Sequence, residues 1–172
     1  WVELHNAGST PADLSGWSLS DASMAPPFVF AAGTSLAPGS FLVVWCDDDA
    51  SAPGMHSGFA LDRSGETLSL FNAAGQRVDA VTFGVQLPDF TLGRAGESHD
   101  WQLCAPTPGA ANVQQPLASI TNVVINEWLA DSPPGEDDWL ELYNRHENLP
   151  VALAGIYLET EAALFRLRAL SF

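Results

Sequence analysis

Residues 1–21, WVELHNAGSTPADLSGWSLSD, return at residues 139–160 as WLELYNRHENLPVALAGIYLET, and this echo decides how the chain divides. Trp1, Glu3, Leu4 and Asn6 align with Trp139, Glu141, Leu142 and Asn144 at an offset of 138. Leu14, Gly16 and Leu19 align with Leu153, Gly155 and Leu158 at an offset of 139, so the slip of one residue falls in the loop between two strands. Internal repetition fixes what counts as a domain before any local reading begins. Residues 1–112 are expected to form one unit that lacks its opening strand, 113–119 a linker, and 120–172 a truncated second unit.

Within the first unit, β-rich runs recur about every ten positions: 1–5, 16–20, 27–31, 40–46, 67–72, 77–83, 91–94 and 100–104. Gly, Pro, Asn and Asp fill the joints, which is the pattern of a sandwich or barrel, and no helical period of useful length interrupts it. Pro is confined to turns and strand ends because it lacks the N–H that a ladder requires, and the chain has 12 of them. In WVELHN, Val2 and Leu4 alternate with Trp1, Glu3 and His5, so the two sets face opposite sides of a sheet. FLVVWC at 41–46 is apolar on both faces and reads as a central strand. The run 68–83 reads as a hairpin turning at Asn72–Gln76, with Gly75 supplying positive φ. In the second unit, the strand at 122–130 has no counterpart before Trp1, and it is expected to swing back into the vacant slot of the first unit.

Composition narrows the partners. The chain has 21 acidic residues against six arginines, no lysine, and a formal net charge of −15. Binding a nucleic-acid backbone needs clustered cations that displace counterions, so nucleic acid is disfavoured as a partner. No apolar run approaches the roughly 20 residues of a spanning helix, so membrane insertion is not expected. Cys46 and Cys104 are read as two half-buried thiols, with a disulfide as the competing reading; neither sits in a C-x-x-C or Cys/His cluster.

In order and spacing, the motifs resemble those of the lamin tail domain family in its bacterial extracellular form. They are Val124-Ile125-Asn126-Glu127, the Trp-x-Glu-Leu-x-Asn at 1–6 and 139–144, and Asp13–Asp21. To these are added Pro38–Trp45, Ser64–Leu68 and the closing Pro106–Asn112. The resemblance implies an all-β, immunoglobulin-like β-sandwich with a partial second sandwich unit. It carries no catalytic residues, and it implies an extracellular or cell-surface location.

Asp47, Asp48 and Asp49, with Asp62, Glu66 and Glu136–Asp138 nearby in type, offer carboxylates that suit Ca²⁺, although the spacing is not that of an EF-hand loop and solvated acidic turns are the competing reading. Glu3 and Glu141 occupy equivalent positions in separate copies and are expected to hold neighbouring loops through backbone N–H groups; Glu127 reads similarly. His5, His56, His99 and His146 show no metal-ligand spacing. Ser15, Ser57 and Ser64 lack the G-x-S-x-G elbow and read as loop serines. Trp17, Trp45 and Trp101 are expected to fill or cap the core, whereas Trp1, Trp128 and Trp139 are candidates for a sugar-stacking platform. The function expected is a non-catalytic module of a larger secreted or surface protein, serving adhesion, spacing or protein binding. Its partners would be proteins, the cell envelope or extracellular matrix, and neighbouring domains of the parent chain. The alternative is an accessory domain that targets an extracellular nuclease, phosphatase or protease to its substrate.

Overall fold

A computed structural model describes residues 1–21, 27–49, 51–161 and 163–172. Strands account for the regular structure of these residues, with one 3₁₀ turn at Ile120–Asn122. Among them no helix is long and apolar enough to cross a membrane.

The first unit contains β1 (Val2–His5), β2 (Ala12–Asp13), β3 (Ser18–Ser20), β4 (Phe28–Val29), β5 (Ser35–Leu36), β6 (Phe41–Val44), β7 (Thr67–Phe71), β8 (Arg77–Thr82), β9 (Thr91–Ala95), β10 (Asp100–Ala105) and β11 (Val113–Gln114). Its largest sheet runs β4-β3-β7-β8, and it is accompanied by the pairs β1-β6 and β2-β5 and by the three-stranded β11-β10-β9. All of these ladders are antiparallel. The alternation in the sequence explains the layering. Leu19, 1% exposed between two half-buried serines, drops from β3 into the space beneath the β1-β6 pair. There it joins Leu14, Phe30, Leu36, Val44 and Phe59, with Val2, Leu4, Leu68 and Leu70 packed around them. Phe28 meets Phe30 edge-on at 4.9 Å, an arrangement that aromatic quadrupoles favour. The all-β immunoglobulin-like sandwich follows from these two facing layers. The hairpin at 72–76 forms as expected: Gly75 has φ +73°, and Asn72 Oδ1 accepts the N–H groups of Ala74 and Gln76.

Three expectations are corrected. Among the described residues β6 pairs with β1, and the chain meets another neighbour just beyond the end of β6, where Trp45 bridges His56 in parallel fashion. No residue of β6 has a ladder partner on both sides among the described residues, so it is not a central strand. Val113 and Gln114, placed by sequence in a linker, extend the first unit's sheet by pairing with β10. The strand at 122–130 does not return to the first unit. As β12 (Val123–Leu129) it pairs antiparallel with β13 (Trp139–Asn144) of its own unit, with a bulge at Asn126.

The second unit also contains β14 (Tyr157–Glu159) and β15 (Leu164–Arg166), and its hydrogen bonds repeat those of the first. Leu19↔Phe28 is matched by Leu158↔Phe165, and Ser18↔Val29 by Tyr157↔Arg166. The N–H of Trp17 bonds Leu14 O as Ile156 bonds Leu153 O, and Leu14 bonds Thr34 O as Leu153 bonds Ser171 O. Asn6 and Asn144 each accept, through the side-chain oxygen, the N–H two residues on. The repeat is thus one of hydrogen-bond pattern as well as of letters. It also aligns Leu170, with φ +55°, with Gly33, with φ +84°, so a left-handed turn made with glycine in one copy is made with leucine in the other.

The two units touch through the end of the second. Arg168 Nη1 donates to Gly65 O at 3.1 Å, Phe172 N to Val85 O at 3.0 Å, and Gln86 Nε2 to Leu170 O at 2.7 Å. Ser171 lies against Gly84, where an added Cβ would come within 1.9 Å of its Oγ.

Candidate functional site

The three aspartates of the 47–49 segment follow β6, and the carboxylates of Asp47 and Asp49 are held in local turns. Asp47 Oδ1 lies 2.5 Å from His56 Nδ1 and accepts the Asp49 N–H at 3.1 Å. Asp49 Oδ1 in turn accepts both the N–H and the hydroxyl of Ser51. The same arrangement recurs at Asp13 with Ser15 and at Asp62 with Ser64, each carboxylate holding the N–H and hydroxyl of a serine two residues on. These bonds hold the carboxyls of Asp13, Asp49 and Asp62 below the usual carboxylate range. The Asp-x-Ser spacing was visible in the sequence and was the signal to use, since short polar side chains at this separation mimic a backbone turn. It also explains Ser15 and Ser64 as turn residues. Ser57, buried, donates its hydroxyl to Phe59 O.

Among the described residues, His56 is the one histidine held by a carboxylate. The parallel bridge to Trp45 fixes its backbone, through Trp45 N to Met55 O and Ser57 N to Trp45 O, both 2.8 Å. Its side chain is 10% exposed, against 44% for Asp47, and its Nε2 is buried without a hydrogen-bond partner among the described residues. Gly54, at φ +127°, closes over it: a Cβ there would lie 3.3 Å from Trp45 Cδ1 and 3.8 Å from His56 Nε2. The Asp47 hydrogen bond raises the imidazole above its ordinary range against the opposing effect of burial, and the same bond lowers the Asp47 carboxyl. A carboxylate–imidazole pair orients a base in many hydrolases, but here the second nitrogen faces packed protein and the nearby Ser57 hydroxyl is committed elsewhere. The pair fastens the 47–57 loop to the end of β6.

That role has a pH signature. Stabilisation from His56 is complete below its unfolded pKa of about 6.5 and is lost as pH rises through the raised folded value. Stabilisation from Asp47 is present above about 3.9 and is lost as pH falls through the lowered folded value. The melting temperature of Asp47→Asn is therefore expected to fall furthest below that of the parent chain near pH 5 to 6, and the difference should shrink by pH 8. A difference that stays constant from pH 5 to 8 would show that the pair does not titrate as a unit.

The remaining sequence candidates are scattered. His5 stacks on Phe41 at 4.5 Å, His99 Nδ1 lies 3.1 Å from Glu97 O, and His146 Nδ1 accepts the N–H groups of Asn148 and Leu149. Glu3 holds a loop as expected, accepting Gly109 N–H at 2.5 Å. Glu141 differs: it accepts the side-chain amide of Asn126, and Glu127 stands directly opposite it in the β12-β13 register. Both cysteines are free, and burial pushes both thiols up. Trp17 packs on the core, Trp101 lies under the Arg94 guanidinium at 4.6 Å, and Trp45 is 41% exposed, so it caps the end of β6 without filling the core. Trp128 and Trp139 stand on the surface at 68% and 46% exposure.

Among the described residues, no three His, Cys, Asp or Glu side chains converge as a metal site. Millimolar Ca²⁺ is therefore expected to leave the melting temperature of the chain unchanged, because Asp47 and Asp49 already spend their Oδ1 atoms on turns. A rise with Ca²⁺ that EDTA reverses would establish the Asp47–Asp49 loop as a binding site.

The fold and its turns define an immunoglobulin-like β-sandwich module stapled by side-chain-capped loops. Residues 1–84 match the family model of the Lamin Tail Domain. The matched region covers β1 to β8, and β9 to β11 continue the unit beyond it. Comparison with curated proteins gave no match, and comparison with solved structures gave none.

Proposed function

We propose that this chain is a non-catalytic protein-binding and spacing module of a larger secreted or cell-surface protein. The observation that carries the reading is the contact between the units, in which Arg168, Leu170 and Phe172 of the second seat on Gly65, Gln86 and Val85 of the first, so that one unit is fixed against the next as a spacer requires. The net charge of −15 turns away polyanionic partners and favours proteins as the partner class.

The test is steady-state turnover by the purified chain on phosphomonoester, phosphodiester, peptide and glycoside substrates. No multiple turnover is expected. Turnover abolished by a single carboxylate substitution would overturn the reading. The accessory role beside a hydrolase is distinguished by the parent reading frame: an adjacent nuclease, phosphatase or protease domain favours it, and further copies of this unit favour spacing and adhesion.

A further inference from the structure

We propose that the surface formed by Gly65, Gly84, Val85 and Gln86 is a selective seat for a second copy of the unit, accepting one whose docking loop reads Arg-Ala-Leu-Ser-Phe and refusing one whose loop reads Ala-Ala-Gly-Thr-Ser. This rests on the spacing reading above and names the partner that the contact accepts.

The two loops are equivalents within the repeat. Residues 168–172 follow β15 as residues 31–35 follow β4, at an offset of 137, and their backbones are held alike. Leu153 N donates to Ser171 O where Leu14 N donates to Thr34 O, and Leu167 N donates to Ile156 O where Phe30 N donates to Trp17 O. Leu170 and Gly33 both turn left-handed, at φ +55° and +84°. Either loop thus has the backbone for the two main-chain bonds of the seat, Phe172 N to Val85 O and Gln86 Nε2 to Leu170 O. Selection then falls to the side chains.

Three of them differ in ways that matter. Arg168 Nη1 donates to Gly65 O, whereas Ala31 in its place has no donor, so that carbonyl loses its bond across the contact. Ser171 is 1% exposed, turns its hydroxyl back to Arg168 O and lies on Gly84. A Cβ on Gly84 would fall 1.9 Å from Ser171 Oγ, 3.2 Å from Ser171 Cβ and 3.0 Å from Arg168 Cβ. Thr34 in the place of Ser171 adds a methyl group to a site already filled, a change that close packing resists. Phe172 is 8% exposed, and Ser35 in its place forfeits that apolar burial.

The covalent connection leaves the orientation of the units to this seat. Gln115 N donates to Leu103 O of the first unit and Ala118 N to Pro150 O of the second, with Pro116 and Leu117 between them as a two-residue joint.

The experiment is backbone ¹⁵N relaxation on the full chain, which reads tumbling on the nanosecond scale. In the parent chain the two units are expected to share one rotational correlation time. Giving the second unit the loop of the first (Arg168→Ala, Leu170→Gly, Ser171→Thr and Phe172→Ser) should split this into two shorter values, with the amides of β12 and β13 still protected from exchange. Gly84→Ala should split it from the other side of the contact, which keeps the test intact if the exchanged loop unfolds its unit. Adding Ser171→Gly to Gly84→Ala should restore the common value, because it removes both Ser171 atoms that the new methyl group meets. A common value retained in the loop-exchanged chain, or in Gly84→Ala, overturns the proposal. A parent chain whose units tumble separately would remove the spacing reading together with this one, whereas a rigid parent with an equally rigid loop-exchanged chain removes the selectivity alone.

Discussion

Gly65→Ala is expected to destabilise the first unit by about 3 to 5 kcal/mol. Two causes act together. Gly65 has φ +109°, where an L side chain is strained, and its Cβ would fall 2.5 Å from Phe83 O and 2.6 Å from Gly84 Cα. Both neighbours are backbone, so no side-chain rotation relieves the overlap. The turn is also anchored: Gly65 N donates to Asp62 O, Asp62 N donates to Glu66 Oε1 at 2.6 Å, and Phe83 N returns to Glu66 O. Denaturant unfolding of the variant should show the loss as a lower midpoint at unchanged slope. A loss under 1 kcal/mol would mean that the 62–66 turn relaxes far more freely than its bonds indicate. Because Gly65 O also receives Arg168, the variant should loosen the contact between the units, visible as faster exchange in residues 168–172.

The second large effect is a contrast between equivalent leucines. Leu19→Ala empties a position that is 1% exposed and walled by Phe28, Leu70 and the core, and it is expected to cost about 3 to 4 kcal/mol. Leu158 occupies the same repeat position and pairs with Phe165 in the same register, but it is half-buried beside a Phe165 that is 60% exposed. Leu158→Ala should cost about 1 kcal/mol, in keeping with the smaller apolar area it removes from water. Equal losses at the two sites would show that the second unit's face is covered in solution. Chemical denaturation of both variants side by side decides the matter.

Most of the first unit was legible because its core obeys one rule. Val2, Leu4, Leu19, Leu68 and Leu70 alternate with polar neighbours, and a two-residue period maps directly onto sheet faces. The short strands β2 and β5 escaped, since Ala12–Asp13 and Ser35–Leu36 are too brief to show a period. Partner choice was the harder problem. β12 matches the open edge of β1 and the edge of β13 equally well by pattern, and loop length separates them. Joining β12 to β13 closes the short loop 130–138, whereas returning to β1 closes more than 100 residues and costs roughly 2 kcal/mol more in chain entropy. The sequence contained that information, but pattern matching does not weigh it. The His56–Asp47 contact was hidden for another reason: it spans a loop, and nothing in the spacing of nine residues indicates that the chain doubles back through a parallel bridge at Trp45. The Asp-x-Ser spacing at 13–15, 49–51 and 62–64 is legible in the sequence, because a short carboxylate two residues before a serine closes a turn locally and needs no distant partner.

The contact between the units involves two different places on the unit. One side is the surface at Gly65, Gly84, Val85 and Gln86; the other is residues 168–172, whose equivalents in the first copy, 31–35, lie elsewhere on the sandwich. Such a contact is head-to-tail and has no twofold axis, so applying it again adds a further unit and never closes a pair. Copies joined this way would each be bound only to their neighbours, in an open array or in a ring according to the rotation the contact imposes. Their unfolding would then follow nearest-neighbour statistics, with the melting temperature rising with copy number and levelling off after a few units.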